Sequence, residues 1–178
     1  MPPDAFHRRS LRLPGYDYTQ PGAYFVTLVA QGRLCLFGEI ADGEMQLNEV
    51  GEIVAQAWQW LARQYPYVDI DEWVIMPNHL HGIIWIVNND ASGRGGSRTA
   101  PTTHPVHPQK SLGRLIGAFK TTSTKQINIL NHTPGAALWQ RNYYEHVIRN
   151  DDDLRRIREY ICNNPLRWAL DRENTPLQ

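Results

Sequence analysis

Only two cysteines occur in the 178 residues, Cys35 and Cys162, and they lie too far apart in sequence to form a CxxC pair. A disulfide framework and a Cys-based zinc site are both disfavoured as organising devices. No apolar run approaches the roughly 20 residues that a membrane span requires, and no succession of basic, apolar and small residues marks a signal peptide at the N-terminus. These absences imply no membrane partner and a reducing, cytoplasmic setting. Net charge is absent too, since 18 basic residues balance 18 acidic ones. Taken alone, that balance argues against a polyanionic partner.

What is present alters that reading, because the charges are segregated along the chain. Residues 39–90 hold nine carboxylates against one basic side chain, Arg63, whereas residues 91–144 hold Arg94, Arg98, Lys110, Arg114, Lys120, Lys125 and Arg141 with no carboxylate. A long stretch free of acid is a candidate phosphate-binding surface. Arg94 and Arg98 can equally be incidental charges on a solvated loop. The 42% hydrophobic content and the length suit one domain over residues 1–178 with a full core.

Periodicity orders the elements. Residues 24–30 have the aromatic and β-branched content of a strand, and 34–40 with 45–47 suit a small hairpin around Asp42-Gly43. Asn48 can cap a helix in which Val50, Ile53, Val54, Ala57, Trp58 and Leu61 recur on one face, ending before Pro66. Residues 68–76 form the next strand, and Pro77-Asn78 turns it into a strand beginning at His79. Residues 88–110, rich in Gly, Ser, Thr and Pro, read as a mobile loop whose His104 and His107 are poor candidates for ligands. A second helix spans 111–129, with Leu112, Leu115, Ile116, Phe119 and Ile127 inward and Arg114, Lys120 and Lys125 toward solvent. Residues 137–148 read as a fourth major strand, and Asp151-Asp152-Asp153 opens a last helix whose positive dipole end suits carboxylates. This order predicts an α+β fold, a ferredoxin-like split βαβ arrangement with an antiparallel sheet, plus a C-terminal helix. Its first and third major strands would be central.

The third of these strands carries His79-Leu80-His81 ahead of the apolar run Ile83-Ile84-Trp85-Ile86-Val87. Residues i and i+2 on a strand share a face, so both imidazoles project together, roughly 6 to 7 Å apart at Cα. Two neutral histidines so placed can hold a divalent ion, although a buried strand histidine can also be a hydrogen-bonded core residue. The last helix converges on the same place. Leu154, Ile157 and Ile161 form its apolar stripe, Tyr160 lies at the stripe's edge, and Asn164 falls on the same side one turn later, just before Pro165. A phenol and an amide carbonyl could meet a metal held by the histidines there.

The combination of His79-Leu80-His81 with Tyr160-Ile161-Cys162-Asn163-Asn164-Pro165 resembles the REP-associated tyrosine transposases and the single-tyrosine insertion-sequence transposases, within the HUH endonuclease superfamily. The resemblance extends over Pro14-Gly15-Tyr16-Asp17-Tyr18, Met76 to Gly82, Gly117-Ala118-Phe119-Lys120 and Trp139-Gln140-Arg141 to His146. It implies that His79 and His81 bind a divalent ion, usually magnesium or manganese, that Tyr160 is the nucleophile, and that Asn164 stands where relatives supply a third ligand. The implied activity is cleavage and rejoining of single-stranded or hairpin DNA through a covalent 5′-phosphotyrosine. Arg114, Lys120, Lys125 and Arg141 are then the candidate DNA-binding residues. Trp168 and Ala169 replace the Ala-Gly of many relatives, a change expected to affect packing only. Related transposases often act as homodimers, but no self-complementary patch is legible in the chain. Two other readings stay open: a non-catalytic nucleic-acid-binding module on the same fold, and a metal-dependent hydrolase that uses water and needs no Tyr160.

Overall fold

The computed structural model describes residues 15–87 and 109–170, so most of the expected loop, with Arg94, Arg98, His104 and His107, lies outside the described residues. The elements are β1 (Gly22–Val29), β2 (Gly38–Ala41), β3 (Glu44–Leu47), α1 (Glu49–Gln64), β4 (Val68–Met76), β5 (His79–Ile86), α2 (Leu112–Leu130), β6 (Tyr144–Ile148) and α3 (Asp151–Cys162). Short 3-10 turns cover Gln31–Arg33 and Pro165–Leu170. Strands pair in the order β4-β5-β1-β6, every pair antiparallel, and β2 with β3 forms a separate hairpin. This is the α+β arrangement read from the element order, with the histidine strand β5 and β1 at the centre.

Local chemistry explains the boundaries. Asn48 accepts a hydrogen bond from the Gly51 amide at 3.0 Å and so caps α1. Asp42 and Gly43, at φ 52° and 79°, give the β2–β3 hairpin the left-handed turn that this dipeptide favours. Asn150 accepts from the Asp153 amide at 2.8 Å and opens α3.

Strand alternation divides the sheet into two faces. Tyr24, Val26, Leu28, Leu80, Ile84 and Ile86 point to one side and pack with Val54, Trp58 and Leu61 of α1 and Leu115, Ile116 and Phe119 of α2. Gly82 belongs to this packing, since a Cβ there would stand 2.5 Å from Trp58 Cζ2. Ala23, Phe25, Ile83 and Ile148 point to the other side, where they meet Ile161 of α3. Among the described residues, no helix is long and apolar enough to cross a membrane.

One strand is shorter than its composition suggests, because β6 begins at Tyr144 rather than at 137. Trp139 makes only an isolated bridge to Ala30. Its indole is buried against Phe37 and Phe119 and donates to Ser123 Oγ at 2.9 Å. The carbonyls of residues 140–142 then turn onto the Lys120 ammonium, at 2.7, 3.3 and 3.4 Å, instead of entering a ladder.

Candidate active site

Antiparallel register builds the site from two central strands. Thr27 of β1 lies opposite His81 of β5, and Val29 lies opposite His79. Both histidines are buried, and they project on the α3 side, as i, i+2 spacing requires. Their Nε2 atoms stand 2.9 Å apart.

Neighbouring groups assign the protons. Asn78 Nδ2 donates to the Arg33 carbonyl at 3.1 Å, which turns Asn78 Oδ1 toward His79 Nδ1 at 2.8 Å. An amide oxygen can only accept, so His79 carries its proton on Nδ1 and presents a lone pair at Nε2. Burial, with a smaller contribution from the Arg33 charge, pushes the His79 pKa down to about 3, so the ring is neutral at physiological pH. On the other ring, His81 Nδ1 lies 2.8 Å from Thr27 Oγ1. A hydroxyl can donate or accept, so His81 can hold its proton on either nitrogen. With the proton on Nε2 it donates to His79. With the proton on Nδ1, two lone pairs face each other at contact distance, an arrangement that a cation between them would relieve.

α3 brings the phenol to the same point, with Tyr160 Oη 3.2 Å from His81 Nε2. Tyr160 as a residue is 41% exposed. Only Ile161 of this helix is buried, and polar contacts supplement the docking. Arg158 Nε and Nη2 grip Asp71 Oδ1 and Oδ2 at 2.9 and 2.6 Å, and Trp85 Nε1 donates to the same carboxylate at 2.8 Å. Asp71 sits where the β4–β5 register shifts, a bulge that turns it out of the ladder. At the other end of the helix, His146 of β6 meets Asp153 at 2.8 Å.

Asn164 follows the α3 C-cap and is 2% exposed, and its Oδ1 makes no hydrogen bond among the described residues. A buried carbonyl without a donor keeps its lone pairs available to a cation. Two imidazole lone pairs and an amide oxygen fit a divalent cation. Among the described residues there is no cluster of three His, Cys, Asp or Glu.

Two expectations require correction. Lys120 was placed toward solvent, but its ammonium is occupied by three backbone carbonyls, and burial lowers its pKa to about 8. Trp168 does more than pack after the helix. The 3-10 turn that follows Pro165 folds back and puts its indole 5.9 Å from the His79 ring, between centroids. Arg114, Lys125 and Arg141 are exposed as expected. However, α2 packs on the face opposite the histidines, so Arg114 and Lys125 are not brought to the site. Sequence reasoning missed Thr27, Asn78 and Asp71 as supports. Thr27 had a signal, being the one polar side chain within the apolar strand 24–30.

No protein-family model matches the chain. An uncharacterised protein of Haemophilus influenzae is 41% identical over 169 residues, covering 93% of this chain and 92% of that protein. A second protein of the same organism, named "Putative REP-associated tyrosine transposase", is 26% identical over 85% of this chain and 74% of its own length. Among solved structures, a REP-associated tyrosine transposase bound to a REP hairpin superposes with a TM-score of 0.60 at 20% identity, covering 88% of this chain and 73% of that one.

Proposed function

We propose that the chain is a REP-associated tyrosine transposase, a metal-dependent endonuclease and strand transferase acting on single-stranded or hairpin DNA, with Tyr160 as nucleophile. One observation carries the reading: the hydroxyl of the partly exposed Tyr160 lies 3.2 Å from His81 Nε2, beside a second imidazole nitrogen, and an unsatisfied buried carbonyl, Asn164 Oδ1, follows the end of the same helix. The relative solved with a REP hairpin supports DNA as the partner.

Tyr160 loses its phenolic proton and its oxygen forms a bond to phosphorus, while the bond from phosphorus to the 3′ oxygen breaks and that oxygen takes up a proton. The product is a 5′-phosphotyrosine and a free 3′-hydroxyl. Since the ester conserves bond energy, attack by a 3′-hydroxyl reverses the step and rejoins strands without a nucleotide cofactor. His79 Nε2, His81 Nε2 and Asn164 Oδ1 would hold a magnesium or manganese ion, which neutralises phosphate charge and orients the group for in-line attack. Two imidazoles suit manganese better. Asn78 and Thr27 fix the rings, as outer partners of histidine ligands do. Arg158 and Asp71 hold the helix that presents the phenol.

The test is a denaturant-resistant adduct formed with manganese and labelled single-stranded DNA. The wild-type adduct should map to Tyr160, and Tyr160→Phe, which keeps the ring and the fold, should form none. Adduct on any other residue, or full cleavage by the Phe variant, would overturn the mechanism.

A further inference from the structure

Five large hydrophobic side chains are exposed among the described residues, and two of them, Tyr160 and Tyr144, lie on one aromatic cluster. The ring of Phe25 joins them. It meets Tyr160 edge-on at 6.1 Å and 88°, meets Tyr144 at 6.2 Å and 68°, and stacks on His81 at 5.6 Å and 25°. Tyr144 opens β6, an edge strand, and is 43% exposed. Pairing places it opposite Thr27, which is itself opposite His81, so the three form one row across the sheet on the α3 face. Two strand spacings put Tyr144 about 10 Å from His81.

The Tyr144 hydroxyl makes no hydrogen bond among the described residues, and Tyr160 serves the nucleophile role, so chemistry does not account for the second phenol. Nor does the core, since the ring stays near half exposed. An aromatic ring braced on one side and open on the other is the form that receives a nucleobase, because every base offers a π-face. Arg141, three residues before it in sequence, is exposed.

We propose that Tyr144 is a base-stacking site for a nucleotide close to the cleaved phosphate, which fixes the DNA strand relative to Tyr160. This rests on the DNA-cleaving reading above and adds a binding contact to it. The stacked base would brace the strand on the edge-strand side while Tyr160 attacks from α3.

The test compares Tyr144→Phe, Tyr144→Leu and the wild type in single-stranded DNA affinity, using oligonucleotides in which each base around the cut is replaced in turn by an abasic spacer. All three are measured in the Tyr160→Phe background, so binding is read without cleavage. Phe should bind like the wild type. Leu keeps apolar bulk against Phe25 but has no π-face, and should bind roughly tenfold more weakly. One abasic position should weaken wild-type binding by a similar factor and cost the Leu variant almost nothing. Equal affinity for Leu and Phe, or an abasic penalty unchanged in the Leu variant, would overturn the proposal. Adduct formation with Tyr160 intact is scored separately, so a wild type that binds but forms no adduct refutes the mechanism and leaves the stacking result to stand or fall by itself.

Discussion

The two faces of the central sheet are built on different terms. Among the described residues, 24 buried apolar ones form one cluster toward α1 and α2, whereas the buried apolar cluster toward α3 has only five. The same β5 supplies both, with Leu80 and Ile84 on one side and His79, His81 and Ile83 on the other. Folding free energy comes mainly from apolar area removed from water, so most of it is concentrated on the first face. The second face can then carry buried histidines, a threonine and a half-exposed tyrosine, groups that a core would have to satisfy at a cost. Stability and chemistry are thus separated by the pleat of one strand.

Adjacent positions on β5 offer the sharpest way to test that separation. His81→Ala should abolish adduct formation while the protein still folds, as read by circular dichroism and thermal melting; His79→Ala should behave alike. Leu80→Ala should do the reverse, lowering stability by about 2–5 kcal/mol while the folded fraction still forms adduct. If the Leu80 variant lost adduct formation without losing stability, or either histidine variant cleaved fully with manganese restored, the division between faces would not hold.

A weaker effect is expected at the clamp that holds α3. With a single buried residue on the helix, the phenol's position depends on the bidentate Arg158–Asp71 pair. Arg158→Gln should slow adduct formation by roughly ten- to a hundredfold, because misplacing a reacting group by an ångström is costly, and should change global stability by no more than about 1 kcal/mol, because the pair is partly exposed. Burial tends to raise the Asp71 pKa, but hydrogen bonds from Arg158 and Trp85 outweigh it and hold the carboxyl below its usual range. A depressed folded pKa means that the clamp contributes above the unfolded value near 4 and is lost as pH falls through the folded one. Hydrogen exchange of the α3 amides should therefore accelerate at acid pH before that of β1 and β5. Simultaneous acceleration would show that α3 is held by the core alone.

These differences explain what was legible in the chain. Period-2 alternation exposed the histidine pair, and 3.6-residue periodicity gave α1 with its cap at Asn48, α2 and the apolar stripe of α3. The central place of β5 followed from element order. What stayed hidden depends on partners distant in sequence. Asp71 meets Arg158 across 87 positions and Thr27 meets His81 across 54, and no local pattern marks either. The region 137–143 has strand composition, but it is committed to burying Trp139 and to the Lys120 ammonium. Trp168 looked like a packing substitution because its contact with His79 arises only when the final 3-10 turn folds back.

The smallest expected effects concern the basic residues, and here position on the two faces changes the expectation from charge alone. Each phosphate contact on single-stranded DNA contributes about 0.7 to the slope of log affinity against log salt. Arg141, exposed just ahead of β6, should lower the slope by about that amount when changed to Ala. Arg114 and Lys125 lie on the α2 layer, opposite the histidines, and should lower it clearly less. Lys120→Met should leave the slope nearly unchanged, since its ammonium is already bound by three carbonyls, yet it should weaken affinity by loosening the 140–142 turn that presents Arg141. That loss should vanish when Lys120→Met is made in the Arg141→Ala background, which a double-mutant cycle would measure. If Lys120→Met cut the slope as much as Arg141→Ala, the lysine would be touching phosphate directly, and DNA would be contacting the α2 layer as well as the face that carries Tyr160.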